Sequence, residues 1–78
     1  MLKPHKFLNL DNSVINISCL IIKNLMANGI MTYNDLYDSI YKLNGENMKY
    51  VFMPSINFLF LLGKIRYHKE SDTLELIL

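Results

Sequence analysis

The sequence predicts a mainly helical α+β fold, three helices followed by a C-terminal β-hairpin. Three observations carry that expectation. Residues 13–27 and 33–43 repeat apolar side chains at helical spacing between capping residues and glycines. Residues 47–62 hold a third apolar run that ends at Gly63. From Lys64 onward the pattern switches to apolar–polar alternation around a short polar turn. A chain of 78 residues allows one domain. We expect residues 1–11 to be an extended N-terminal arm and residues 12–78 a single folded unit.

The arm follows from Pro4, which disfavours helix at the residue before it. Asp11, Asn12 and Ser13 then offer N-caps for the first helix. One face of that helix carries Val14, Ile17, Ile21 and Leu25, and a second carries Ile15, Cys19, Ile22 and Met26. Two apolar faces suggest burial on two sides. Asn28-Gly29 ends the helix. Ile30 and Met31 form a short extended link. Thr32 and Asp35 resemble a capping box for the second helix, whose apolar side holds Leu36, Tyr37, Ile40 and Tyr41, with Leu43 at its end. Asn44-Gly45 stops it. Pro54 complicates the third helix, because inside a helix it costs about 3 kcal/mol. Either the helix starts near Met53, or an earlier turn kinks at Pro54. In the hairpin, Ile65 and Tyr67 alternate with Lys64, Arg66 and His68. After Lys69-Glu70-Ser71-Asp72, the residues Leu74, Leu76 and Leu78 alternate with Thr73, Glu75 and Ile77.

Composition excludes several classes of function. Hydrophobic residues make up 51% of the chain, charged residues 19%, and the net charge is +1, so there is no strong basic field for nucleic acid. One cysteine, Cys19, rules out an internal disulfide and a cysteine-based zinc finger, and its ordinary place is a small buried hydrophobe. The apolar runs are shorter than the ~20 residues a bilayer span needs, and no signal-peptide pattern follows the basic start, so the expected location is the cytoplasm. His5 and His68 are far apart in sequence and no metal-ligand spacing or phosphate-cradling glycine loop is present. Asp35 and Asp38 lie one helical turn apart, and helix capping and the helix dipole account for them. The five tyrosines suit packing and interfaces better than acid catalysis. We therefore expect no enzyme activity, no cofactor and no metal.

Three helices, a short strand between the first two, and a terminal hairpin follow the order of a winged helix-turn-helix. Such folds read DNA or dock proteins. For DNA, the candidate contacts are Lys64, Arg66, His68 and Lys69 on the hairpin, with Glu70, Asp72 and Glu75 beside them. The third helix has no charged residue between Pro54 and Leu62, and Asn57 is its only base-reading type. A helix so apolar is better suited to packing. The candidate partner-facing residues are Asn57, Phe58, Leu61, Leu62, Ile15 and Ile22. Asn57 is either an edge or backbone-bonded amide or a group that orients a partner.

The run Lys49-Tyr50-Val51-Phe52-Met53-Pro54-Ser55-Ile56-Asn57-Phe58-Leu59-Phe60-Leu61-Leu62-Gly63, with Ile65 and Tyr67-His68 after it, resembles the signature YVF-x-P-x-x-N-x-L-x-x-L-G. That signature belongs to the middle components of bacterial ABC-three-component systems, sixth subtype. The stretch from Pro4 to Val14, with Phe7-Leu8-Asn9-Leu10-Asp11, is similar to the opening of the same group. The resemblance implies a small adaptor linking an ABC-type ATPase, related to chromosome-maintenance ATPases, to an effector protein in antiviral defence. It implies those two partners, leaves room for a second copy of the chain, and supplies no catalytic residues. The alternative is a winged-helix DNA-binding transcriptional regulator.

Overall fold

The computed structural model describes residues 13–77. The elements run α1 (Val14–Asn28), β1 (Ile30–Thr32), α2 (Tyr33–Asn44), a 3₁₀ turn (Glu46–Met48), α3 (Lys49–Leu61), β2 (Ile65–His68) and β3 (Thr73–Leu76). The fold is thus mainly helical with a three-stranded antiparallel sheet, as the patterning predicts. The arm expected at residues 1–11, and Leu78, lie outside the described residues.

The helix ends follow the capping residues. The Ser13 hydroxyl accepts from the Asn16 N–H at 3.1 Å, and the Thr32 hydroxyl accepts from the Asp35 N–H at 3.1 Å. Each side chain satisfies a backbone donor that the first turn leaves without an intrahelical acceptor. At the end of α3, the Gly63 N–H reaches the Phe60 carbonyl and the Lys64 N–H reaches the Leu59 carbonyl, both at 3.0 Å. This pair of bonds is a Schellman motif. It requires a left-handed residue, and Gly63 has φ +69°.

Pro54 does not start α3. The helix begins at Lys49 and runs through the proline. The missing N–H at Pro54 leaves the Tyr50 carbonyl without its helical donor, but Tyr50 and Pro54 are both exposed, where water can serve that oxygen. The preceding 3₁₀ turn and the buried Met48 and Phe52 hold the segment upstream of Pro54 in place. A start near Met53 is therefore corrected: packing of the first helical turns outweighs the local penalty.

One core joins all the elements. It takes Ile17, Ile21 and Leu25 from α1, Leu36 and Ile40 from α2, and Met48 from the 3₁₀ turn. Phe52, Ile56 and Leu59 come from α3, with Ile65 and Leu74 from the hairpin. Phe52 is fully buried. Its ring meets Tyr33 edge-on at 5.3 Å and Tyr37 at 5.0 Å, the T-shaped arrangement that aromatic quadrupoles favour. At the contact of α1 with α3, the Ser55 hydroxyl donates to the Val51 carbonyl at 2.7 Å and lies 3.3 Å from the Val14 carbonyl. Ser18, also buried, has a hydroxyl with no hydrogen-bond partner among the described residues.

The sheet order is β1-β3-β2. Ile30 pairs with Glu75 and Thr32 with Thr73, so the link after α1 becomes an edge strand. Across the hairpin Ile65 faces Leu76, Arg66 faces Glu75, Tyr67 faces Leu74 and His68 faces Thr73. The alternation places Ile65, Tyr67, Leu74 and Leu76 on the side of the core, and Arg66, His68, Thr73 and Glu75 on the other. Asp72 closes the turn with φ +52°, a left-handed conformation that aspartate tolerates better than most side chains.

Among the described residues α1 is not buried on both sides. Ile15 is 71% exposed and Met26 67%. Cys19 is exposed, which corrects its expected burial. It lies on the second apolar face, of which Ile22 packs at the edge of the core while Ile15 and Met26 do not.

Two outcomes test this packing. Phe52→Ala should destabilise the fold by about 3–5 kcal/mol, read as the shift of a urea unfolding midpoint, and a loss under ~1 kcal/mol would contradict the aromatic core. Ser55→Ala should lower that midpoint by roughly 1 kcal/mol, while Ser18→Ala should leave it unchanged or raise it, because it removes a buried hydroxyl that has no partner. Equal losses for the two serines would contradict the assignment.

Candidate functional site

The uncovered apolar surface lies on α1 and α3. On α1, Ile15, Cys19, Ile22 and Met26 follow one another at spacings of four, three and four, which lines them along one stripe of the helix. Ile15, Cys19 and Met26 are exposed and Ile22 is half-buried against the core. The only charge on this helix is Lys23. On α3 the core takes the stripe Phe52, Ser55, Ile56 and Leu59, and the remaining apolar residues cannot share it. Leu61 is 87% exposed, and Phe58, Leu62 and Asn57 are exposed too. Phe58 and Leu62 follow Ser55 at helical spacing, so they lie on the side of α3 that meets the start of α1. Ser18, buried, lies between the core face of α1 and the Ile15–Ile22 stripe. Phe58 and Leu62 therefore lie toward the seam between the helices, while Leu61 lies farther round α3 on its solvent side.

Asn57 is an exposed residue on the solvent side of α3, not a buried amide bonded to backbone. It adjoins Leu61 at helical spacing.

The hairpin cations are placed differently. Lys64, Arg66 and Lys69 are exposed. Arg66 stands opposite Glu75, and the His68 Nε2 lies 2.9 Å from Glu75 Oε1. One carboxylate thus sits between the two basic groups of the outer hairpin face and lowers its positive potential. Asp35 serves at the start of α2, where its N–H is capped by Thr32, and Asp38 is exposed one turn on. Among the described residues there is no group of three or more His, Cys, Asp or Glu side chains able to hold a metal ion. No helix among them is long and apolar enough to cross a membrane.

A groove of about 450 Å³ opens between α3 and the hairpin. Met53, Ile56 and Phe60 line it from α3, Tyr67, Asp72 and Leu74 from the hairpin, and Tyr33 from the start of α2. The hairpin turn is tied to α2 by the Tyr33 N–H, which donates to the Asp72 carbonyl at 3.0 Å. The Tyr67 hydroxyl donates to the Asp72 carboxylate. That hydrogen bond, with burial and the carboxylate's charge behind it, pushes the Tyr67 hydroxyl above its usual pKa. Burial raises that of Tyr33, aided by Tyr37 and by the charge of Asp72. The groove is apolar along its walls and electronegative at the Asp72 end.

Sequence reasoning missed this groove. Its aromatic and acidic members come from three separate segments, and the only local sign was the tyrosine-rich composition.

No curated protein and no solved structure matches the chain. A family model described as ABC-three component (ABC-3C) system Middle Component 8 matches residues 29–77. The match covers β1 through the end of the hairpin. It corrects the expected sixth subtype to the eighth. The signature that suggested the sixth is centred on Phe52, Ser55, Ile56 and Leu59, whose burial specifies how α3 packs rather than which subtype it serves. The chain belongs to the family of ABC-three component system middle components, group eight.

Proposed function

We propose that the chain is a non-enzymatic adaptor, a single winged-helix-like domain that joins an ABC-type ATPase to an effector in a bacterial defence system, acting in the cytoplasm. Membership of the family implies partners within the same system. The observation that carries the docking role is the set of exposed apolar residues on α1 and α3, two helices that pack against each other and carry few charges. A monomer of this size has little reason to leave Ile15, Met26, Phe58, Leu61 and Leu62 in water, and surfaces of this kind mark interaction sites. In this reading Ile15 and Ile22 on α1, and Phe58, Leu61 and Leu62 on α3, bury against a partner. Asn57 supplies the polar contact that sets its orientation.

The DNA-binding alternative loses support from the same surfaces. A recognition helix presents cations or amides to base edges. The solvent side of α3 presents Asn57 among Met53, Phe58 and Leu61, and Glu75 offsets Arg66 and His68 on the hairpin.

Co-expression with an ABC ATPase of the same system tests the proposal. Ile15→Asp and Leu61→Lys place charges where the helix dipole favours them, at the start of α1 and the end of α3, so each should leave stability within ~0.5 kcal/mol of wild type. Each should nevertheless cut ATPase capture by ~10-fold or more, the effect of forcing a charge into an apolar interface. Wild-type capture by both variants would overturn the docking surface. Arg66→Ala should leave capture unchanged. Salt-sensitive duplex DNA binding that Arg66→Ala weakens would instead support the alternative.

A further inference from the structure

We propose that the groove between α3 and the β2–β3 hairpin is a binding site for an arginine side chain presented by a partner protein. Three aromatic residues, Tyr33, Phe60 and Tyr67, line it with Met53, and one carboxylate, Asp72, stands at its end. A volume of about 450 Å³ lies within the range of sites that hold small ligands, ample for a guanidinium and its alkyl stem.

The chemistry is that of a cation acceptor. Aromatic faces attract cations, and the effect grows where water is excluded. A guanidinium is planar, weakly hydrated and able to stack on rings while its N–H fork meets a carboxylate. Lysine carries a more strongly hydrated point charge and gains less from apolar walls.

Asp72 is held ready for that role. The Tyr67 hydroxyl donates to its carboxylate, and the Tyr33 N–H donates to its carbonyl. A carboxylate has about four acceptor sites, so one hydrogen bond leaves capacity for a guanidinium. Among the described residues the one ion pair within 4.0 Å joins His68 to Glu75, so Asp72 has no cation there. Arg66 cannot fill the groove, because it alternates to the opposite face of β2 from Tyr67. The raised pKa of both tyrosine hydroxyls is consistent with an electronegative groove.

This inference goes beyond the docking stripes on α1 and α3, and its test needs no ATPase. The full chain, labelled for NMR, is titrated with n-butylguanidinium, with the neutral isostere n-butylurea, with n-butylammonium, and with the blocked tripeptide leucyl-arginyl-leucine amide. We expect n-butylguanidinium to shift the backbone signals of Tyr33, Tyr67 and Leu74. The urea and the ammonium should each bind ~10-fold more weakly or worse. The tripeptide should bind more tightly than n-butylguanidinium, because its flanking side chains meet Met53 and Phe60. Asp72→Asn should weaken binding ~10-fold while keeping the fold, since asparagine also accepts the left-handed conformation of this turn. Phe60→Leu keeps an apolar wall but removes a ring, and should weaken binding ~3-fold. Equal binding of n-butylurea, or an Asp72→Asn variant that binds as wild type, overturns the cation site. Equal binding of n-butylammonium overturns the choice of arginine. A tripeptide no tighter than n-butylguanidinium overturns the protein-borne ligand.

Discussion

Two helices of this chain are apolar nearly all round, and the single core has room for one stripe from each. That constraint shapes the rest. On α1 the core takes Ile17, Ile21 and Leu25, and on α3 it takes Phe52, Ser55, Ile56 and Leu59. Ser55, and Ser18 beside the core face of α1, are small enough to sit buried where the helices meet. What remains exposed among the described residues includes Ile15, Cys19 and Met26 on α1 and Phe58, Leu61 and Leu62 at the end of α3. The surplus is therefore set by geometry: one layer of helices over one small sheet offers no second core.

The sheet fixes the other side of the molecule. Residues 30–32 pair with β3, which carries Tyr33 to the hairpin turn and ties it to Asp72. The same pairing holds the inner residues of the hairpin over α3 and leaves the groove between them. Across the sheet, Glu75 sits among Arg66, His68 and Ile30, so the outer hairpin face is mixed in character rather than basic. The charged and apolar surfaces are thereby separated, with the apolar ones on the helices.

Much of this was legible in the sequence, because local signals were strong and agreed. Ser13, Thr32, Gly29, Gly45 and Gly63 mark helix ends to within a residue or two. The alternation from Ile65 to Leu76 identifies the hairpin, and Ile65 and Leu74 do face the core. Other features depend on tertiary contacts. The two faces of α1 are equally apolar in sequence, so periodicity finds both stripes but not which one the core takes, and Cys19 fell on the other one. Pro54 argues locally for a late helix start, and only the burial of Met48 and Phe52 reveals why the helix starts earlier. The groove joins Tyr33, Phe60, Tyr67 and Asp72 across three segments, and no spacing rule links them. The family resemblance was right at the level of the system, but its packing signature did not discriminate the subtype.

The central claim is that the exposed stripe of α1 is covered by another subunit in the assembled system. Cys19 is the one cysteine of the chain and sits in that stripe between Ile15 and Ile22. The most direct measurement is therefore the rate at which a maleimide modifies Cys19, in the isolated chain and in a complex purified with the proposed ATPase partner. Burial against the partner should slow the reaction by ~10-fold or more in the complex, since an accessible thiolate is what reacts. Equal rates in a complex that remains assembled would contradict the account.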